Sequence, residues 1–272
     1  LKRPSIELLE DKAKQTRRHI IRMLGKAGSG HPGGSLSAID LIVALYYGKL
    51  RHDPQNPAWP DRDRFVLSKG HSCPALYAVL AETGYFPVSE LDTLRQFGTR
   101  LQGHPDCHLT PGIEISSGSL GQGLSVGLGM ALAAKIDKKD YRVYVMLGDG
   151  EIEEGQIWEA AMAASHYGLD NLCAIIDNNG LQIDGPINQV MSPLPIPDKW
   201  LAFGWNVIQI NGHDMKKILQ AYDEAETLKG KPTVIIAKTI KGKGVSFMEG
   251  DADWHGKAPN KEQTEAALVE LA

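Results

Sequence analysis

The segment Val143-Tyr144-Val145-Met146-Leu147-Gly148-Asp149-Gly150 runs from a continuous apolar stretch into a carboxylate held between two glycines. A buried strand that ends this way delivers Asp149 to its carboxyl edge, where open α/β sheets bind ligands. Glycine lets backbone amides approach an anion closely, and the carboxylate is a hard oxygen ligand. A magnesium ion joining carboxylate to phosphate oxygen suits such a turn. On Gly-Asp-Gly alone, a tight turn with Asp149 capping the next helix is the simpler explanation. A second run changes that balance. Leu172-Cys173-Ala174-Ile175-Ile176 ends in Asp177-Asn178-Asn179-Gly180, which puts Asn179 thirty residues beyond Asp149. That is about the length of one strand-helix-strand crossover. Neighbouring parallel strands would then present Asp149 and Asn179 side by side. Carboxylate, amide oxygen, a backbone carbonyl, two diphosphate oxygens and water would complete an octahedral oxygen shell.

The nine histidines call for a different chemistry. His31, His71, His104 and His213 each follow a glycine, and His255 precedes one. A zinc site needs helical or paired-ligand spacing. Only His104 and His108 offer it, and Pro105 disfavours a helix there, so zinc is not expected. Satisfied loop positions account for His19, His52, His108, His166 and His213. Glu154 and Glu159 fit a solvated first turn of a helix, where acids are favoured.

These residues need a frame. Apolar residues at helical spacing predict a helix over residues 5 to 26, capped by Ser5 and ended by Gly28. Further helices are expected over 37 to 48, from Ala75, and after Gly121, with a fourth started by a Ser89/Asp92 capping box. Apolar runs over Arg64–Ser68, Arg142–Leu147, Leu172–Asp177, Asn206–Ile210 and Thr233–Lys238 read as strands. Helical patterns at 155 to 168, about 198 to 203, and 214 to 228 separate the later ones. Buried strands alternating with helices predict a doubly wound, mainly parallel α/β sheet with helices on both faces. Residues 184 to 197 hold four prolines and read as an ordered loop. No repeat or linker interrupts the chain, so residues 1 to 272 form one expected domain. The composition of the 272 residues is that of a globular protein, with a net charge of -4 and no basic run of five. Nucleic acid and anionic membrane are therefore not expected partners. Leu120–Ala134 is too short and glycine-broken to span a bilayer, and Leu1-Lys2-Arg3-Pro4 does not begin a signal peptide. Three cysteines without a CxxC pair point to an intracellular, cytoplasmic protein without a disulfide framework.

The Gly-Asp-Gly turn followed at this distance by Asn-Asn resembles the motif of thiamine diphosphate enzymes. Glu153-Glu154-Gly155-Gln156-Ile157-Trp158-Glu159-Ala160 narrows the resemblance to the transketolase family. Gly30-His31-Pro32-Gly33, Leu67-Ser68-Lys69-Gly70-His71, Gly103-His104-Pro105, Ser117-Gly118-Ser119-Leu120-Gly121 and Trp254-His255-Gly256 are similar to its other motifs, in the same order. The likeness covers nearly the whole chain. It implies thiamine diphosphate with magnesium, for which calcium or manganese could substitute, held by Asp149, Asn179 and the backbone carbonyl of Leu181. His71 and His255 would meet the cofactor, Gly150 would give its amide to the diphosphate, and Gly118, Ser119, Leu120 and Ile183 would line the remainder. Ser119 stands where the family commonly has proline. His31, His104 and His255 would face the sugar and move protons, as an imidazole titrating near neutrality can. Glu154 and Glu159 would lie at a subunit interface and link two cofactor sites through shared protons.

The implied reaction transfers a two-carbon ketol unit from a ketose phosphate to an aldose phosphate. Single-chain members of the family add a pyrimidine-binding domain and a C-terminal domain. This chain is therefore expected to be the N-terminal subunit of a split transketolase, ending at or near Ala272. Its partner would be a C-terminal subunit, in a dimer of heterodimers acting on sugar phosphates. A 1-deoxyxylulose-phosphate synthase relative, a transketolase for an unusual sugar and a non-catalytic binding module are the alternatives.

Overall fold

The computed structural model describes residues 4–272, so the reading of Leu1-Lys2-Arg3 lies outside the described residues. Five parallel strands make the main sheet: β1 (Arg64–Leu67), β2 (Val143–Gly148), β3 (Leu172–Asn178), β6 (Asn206–Asn211) and β7 (Thr233–Lys238), in the spatial order β1-β2-β3-β7-β6. A small hairpin, β4 (Leu181–Gln182) with β5 (Gly185–Pro186), leaves the end of β3. The expected doubly wound sheet is present. Alternation along β2 shows how both faces are covered, since successive strand side chains point to opposite sides. Tyr144 and Met146 enter a core with α1 (Ile6–Ala27), α2 (Pro32–Gly48), α3 (Cys73–Glu82) and, past the short α6 (Ile187–Val190), α8 (Met215–Thr227) and α9 (Lys261–Glu270). Val143, Val145 and Leu147 enter another core with α4 (Gln122–Ile136), α5 (Gly155–His166) and α7 (Ile196–Ala202).

β3 pairs with β2 in the register Gly148↔Asp177 and with β7 in the register Asn178↔Lys238. The carboxyl ends of β2, β3 and β7 therefore lie in one row, and β6 is reached only by passing over β7. This reversal of strand order opens the crevice in which α/β sheets hold ligands.

Ser5 caps α1 by accepting from the Leu8 amide, and Gly28 ends it at φ 64°, a left-handed conformation glycine adopts without a Cβ clash. Two expectations fail. The second helix begins at Pro32 rather than residue 37, because proline is pre-organised for a first helical position and α2 is buried on nearly every side. Residues 88 to 93 form a 3-10 segment after Pro87 with no side-chain cap, so Ser89 and Asp92 start no α-helix. The proline-rich stretch also contains β5 and the short α6. No disulfide joins the described cysteines, and no described helix is long and apolar enough to cross a membrane.

Candidate cofactor site

A cavity of about 180 Å³ lies over the carboxyl ends of β2 and β3. Asp149, Gly150, Asn179, Leu181, Leu120 and Ile183 line it, as do His71, His255 and Glu154. Strand pairing brings the two loop tips together, and the Gly180 amide closes the join by donating to Asp149 Oδ2. Asp149 Oδ1 accepts from its neighbour Gly150 at 3.0 Å, so that amide is engaged by the carboxylate. Asn179 Oδ1 accepts from the Leu181 amide at 3.1 Å. Burial, and after it the Asp177 carboxylate, push the Asp149 pKa up to about 6. An acid left in such surroundings gains most from a cation.

Three cavity-lining charges escape a reading of the sequence because Lys and Glu are rarely buried. Lys69, just past β1, is fully buried and donates to Asp177 Oδ2 and to the Gly34 carbonyl. Asp177 also accepts from the hydroxyls of Ser37 on α2 and Thr239 after β7. Burial works to raise its pKa, yet Lys69 and the two hydroxyls outweigh burial and hold it below the ordinary range. Glu151 is buried and accepts from Ser68, Gly121 and Gly148, which ties the Gly-Asp-Gly turn to the start of α4. Burial raises its pKa. Lys241 Nζ donates to the Leu181 carbonyl at 3.2 Å and lies 2.9 Å from His255 Nδ1. Burial and Lys69 lower its pKa to about 8. The signal for these residues is their place in the strand-end segments, with hydroxyls and glycines around them.

The histidines cluster beside the cavity. The His31 ring lies 5.3 Å from His71, 5.6 Å from His255 and 6.1 Å from His104. His71 and His255 are 5.0 Å apart. Gly118, at φ 142°, packs against the His104 ring so closely that a methyl there would meet Cδ2 at 2.8 Å. The other five histidines stand apart. His213 binds Asp40 at 2.7 Å and accepts from Ile240, His19 meets Glu82, and His52 meets Tyr85 and Tyr46. Ser119 is exposed, and Glu159 lies on the exposed side of α5 outside the cavity lining.

Several observations bear on whether a magnesium diphosphate would fit. Asp149, Asn179 and the Leu181 carbonyl are hard oxygen donors on one rim, the set that suits magnesium. Among the described residues no group of three His, Cys, Asp or Glu could hold a metal. Gly34, in the first turn of α2, borders the cavity, and a methyl there would meet Ser72 Oγ at 2.8 Å and His71 Nε2 at 3.4 Å. That helix has no acid in its first turn, so its N-terminus favours an anion. His31 Nδ1 is buried without a hydrogen-bond partner among the described residues. The residues present fit the group.

The family profile described as "Transketolase, thiamine diphosphate binding domain" matches residues 10–271. The chain is 48% identical over 267 residues to one of the subunits of apulose-4-phosphate transketolase from Phocaeicola vulgatus, covering 98% of this chain and 95% of that protein. It is 48% identical over 263 residues to the SqwG subunit of 6-deoxy-6-sulfo-D-fructose transketolase from Clostridium sp., covering 97% and 96%. Transketolase from Campylobacter jejuni superposes with a TM-score of 0.93 at 35% identity, covering 98% of this chain and 43% of that one. The chain thus belongs to the transketolase family of transferases, in its thiamine diphosphate binding domain.

Proposed function

We propose that this chain is the N-terminal subunit of a two-chain transketolase, forming one diphosphate-binding domain over its whole length. With a partner chain it would move a two-carbon ketol unit from a ketose to an aldose, in an assembly of two copies of each. The observation that carries this reading is the hydrogen bond from Gly180 to Asp149, which joins two strand-end tips beneath a cavity bordered by Lys69, Lys241, His71 and His255.

When bound, thiamine diphosphate supplies the carbanion and electron sink of ketol transfer. Asp149 and Asn179 supply side-chain oxygens to magnesium, and Leu181 its carbonyl. Lys69 and Asp177 fix the floor on which those tips stand. Leu120 and Ile183 line the cavity with apolar surface. His31, His104 and His255 bind sugar hydroxyls and move protons, for which neutral imidazole offers one donor and one acceptor nitrogen. His71 meets the cofactor side. Glu154 and Glu159 face the neighbouring chain.

The sugar is a ketose with an anionic end. The names of the two relatives at 48% identity support this, one naming a ketose phosphate and the other a sulfonated ketose. Reconstitution tests the proposal. The purified chain alone is expected to turn over nothing, and adding the partner chain with magnesium and thiamine diphosphate should give ketol transfer. Robust transfer by this chain alone would overturn it.

A further inference from the structure

His213 belongs to none of the motifs that carry the family likeness, yet both of its ring nitrogens are engaged. Nε2 accepts from the Ile240 amide at 2.9 Å, so Nδ1 carries the proton and donates to Asp40 Oδ2 at 2.7 Å. Asp40, buried on α2, also receives the paired N–H groups of Arg17 from α1, at 2.9 and 2.6 Å. Arg17 Nε donates in turn to the Lys243 carbonyl at 3.1 Å. Burial works to raise the Asp40 pKa, yet Arg17 and His213 outweigh it and hold the acid below the ordinary range. A two-point pairing of this kind fixes direction as well as charge.

The two ends of this network grip one loop. After β7 the backbone runs Thr239-Ile240-Lys241-Gly242-Lys243. His213 holds it at Ile240 and Arg17 holds it at Lys243. Between those grips the Gly242 amide donates to the Gly33 carbonyl, in the first turn of α2, at 3.0 Å. Gly244 leaves room for Arg17, since a methyl there would meet its Cδ at 3.1 Å. Lys241 is the residue of the gripped stretch that lines the cavity. It is only 2% exposed, and its Nζ meets the Leu181 carbonyl and His255 Nδ1. Ordering so long a side chain costs entropy, and it reaches a fixed point only from a fixed backbone.

We infer that Arg17, Asp40 and His213 form a clamp that holds the backbone on both sides of Lys241 and so aims its ammonium into the cavity. His213 is then a positioning residue for cofactor binding. The inference rests on the reading of the cavity as the cofactor site and adds how a buried lysine is kept in place there. None of the three clamp residues lines the cavity, so they act through the loop.

The test uses the reconstituted two-chain enzyme prepared without cofactor. Amide hydrogen exchange over residues 239–245 reads the loop, and titration calorimetry gives the dissociation constant for magnesium thiamine diphosphate. His213→Leu removes both hydrogen bonds, whereas His213→Gln keeps one donor and one acceptor. Ile196→Val, in the core on the other face of the sheet, is destabilised away from the clamp. In His213→Leu the loop exchange should quicken about tenfold and the dissociation constant should rise about tenfold, roughly the worth of one hydrogen bond. His213→Gln should recover most of both, and Ile196→Val should move neither. Arg17→Lys keeps a charge beside Asp40 but loses the grip on Lys243; it should show both changes, and it carries the test if His213→Leu does not fold. In a Lys241→Met background the further loss from His213→Leu should shrink to about twofold, because clamp and lysine act as one unit. Cofactor binding in His213→Leu no weaker than in Ile196→Val, or losses that simply add in the double variant, would overturn the inference. Wild-type enzyme that takes up no cofactor would instead remove the reading of the cavity, and the clamp's purpose with it.

Discussion

Four imidazoles with neighbouring ring centres 5.0 to 6.1 Å apart cannot all be charged, and their surroundings keep them neutral. Burial, followed by Arg95, His104 and Lys241, lowers the His31 pKa to about 4. Burial, followed by Lys241 and His31, lowers that of His255 to about 3. For such a base the unfolded chain takes up its proton first, near pH 6.5. Stability from these groups is therefore full above pH 6.5 and drains as the pH falls toward 4 and below. The imidazole C–H resonances of His31 and His255 should stay in the neutral form at pH 5, and the loss of melting temperature below pH 6.5 should be shallower in His31→Asn. Titration of His31 near 6.5 would contradict the account. Much of the site is legible at this scale. Asp149 and Asn179 are visible because strand ends in a parallel sheet are functional places and glycine marks a close approach. Lys69, Glu151 and Lys241 are not, because a charged residue in sequence carries no sign that hydroxyls and amides wait to receive it.

Among the elements, Asp177 is the pin. Its carboxylate gathers α2 through Ser37, the end of β1 through Lys69 and the end of β7 through Thr239. Removing one partner of a buried ion pair leaves an uncompensated charge and costs about 3–5 kcal/mol. Lys69→Met should lose stability of that order in denaturant unfolding, and pairing it with Asp177→Leu should recover part. A loss below about 1 kcal/mol would show that the pin is not structural. β2, β3 and β7 could be located within a residue or two because burial on both faces makes them continuous apolar runs, whereas the edge strand β6 is only partly buried and keeps polar residues. The start of α2 could not be located this way. Pro32-Gly33-Gly34 has the composition of a turn, and what makes it helical is packing against Lys241, Trp254 and Ser72, residues distant in sequence. The false helix start at Ser89 fails although Leu91 and Leu94 behind it are buried: the backbone leaves helical conformation at Leu94 and turns left-handed at Arg95, φ 60°, so no α-helix follows.

The molecule as a whole offers one face of its sheet edge to chemistry and spans 43% of the Campylobacter jejuni transketolase to which it is similar. Exposed Leu120, Ile183 and Glu154 border the cavity at that edge, which leaves the site open on the side a partner would complete. In the proposed function the two loop tips would hold a divalent cation and a diphosphate between them. The direct measurement is the melting temperature of this chain with magnesium, with thiamine diphosphate, and with both. The pair together should raise it, by up to about 2.7 kcal/mol of stabilisation at one hundred times the dissociation constant. Each alone should do little, and Asp149→Asn should abolish the rise while still melting cooperatively. An equal rise in Asp149→Asn, or one that persists when magnesium is removed by a chelator, would contradict the account.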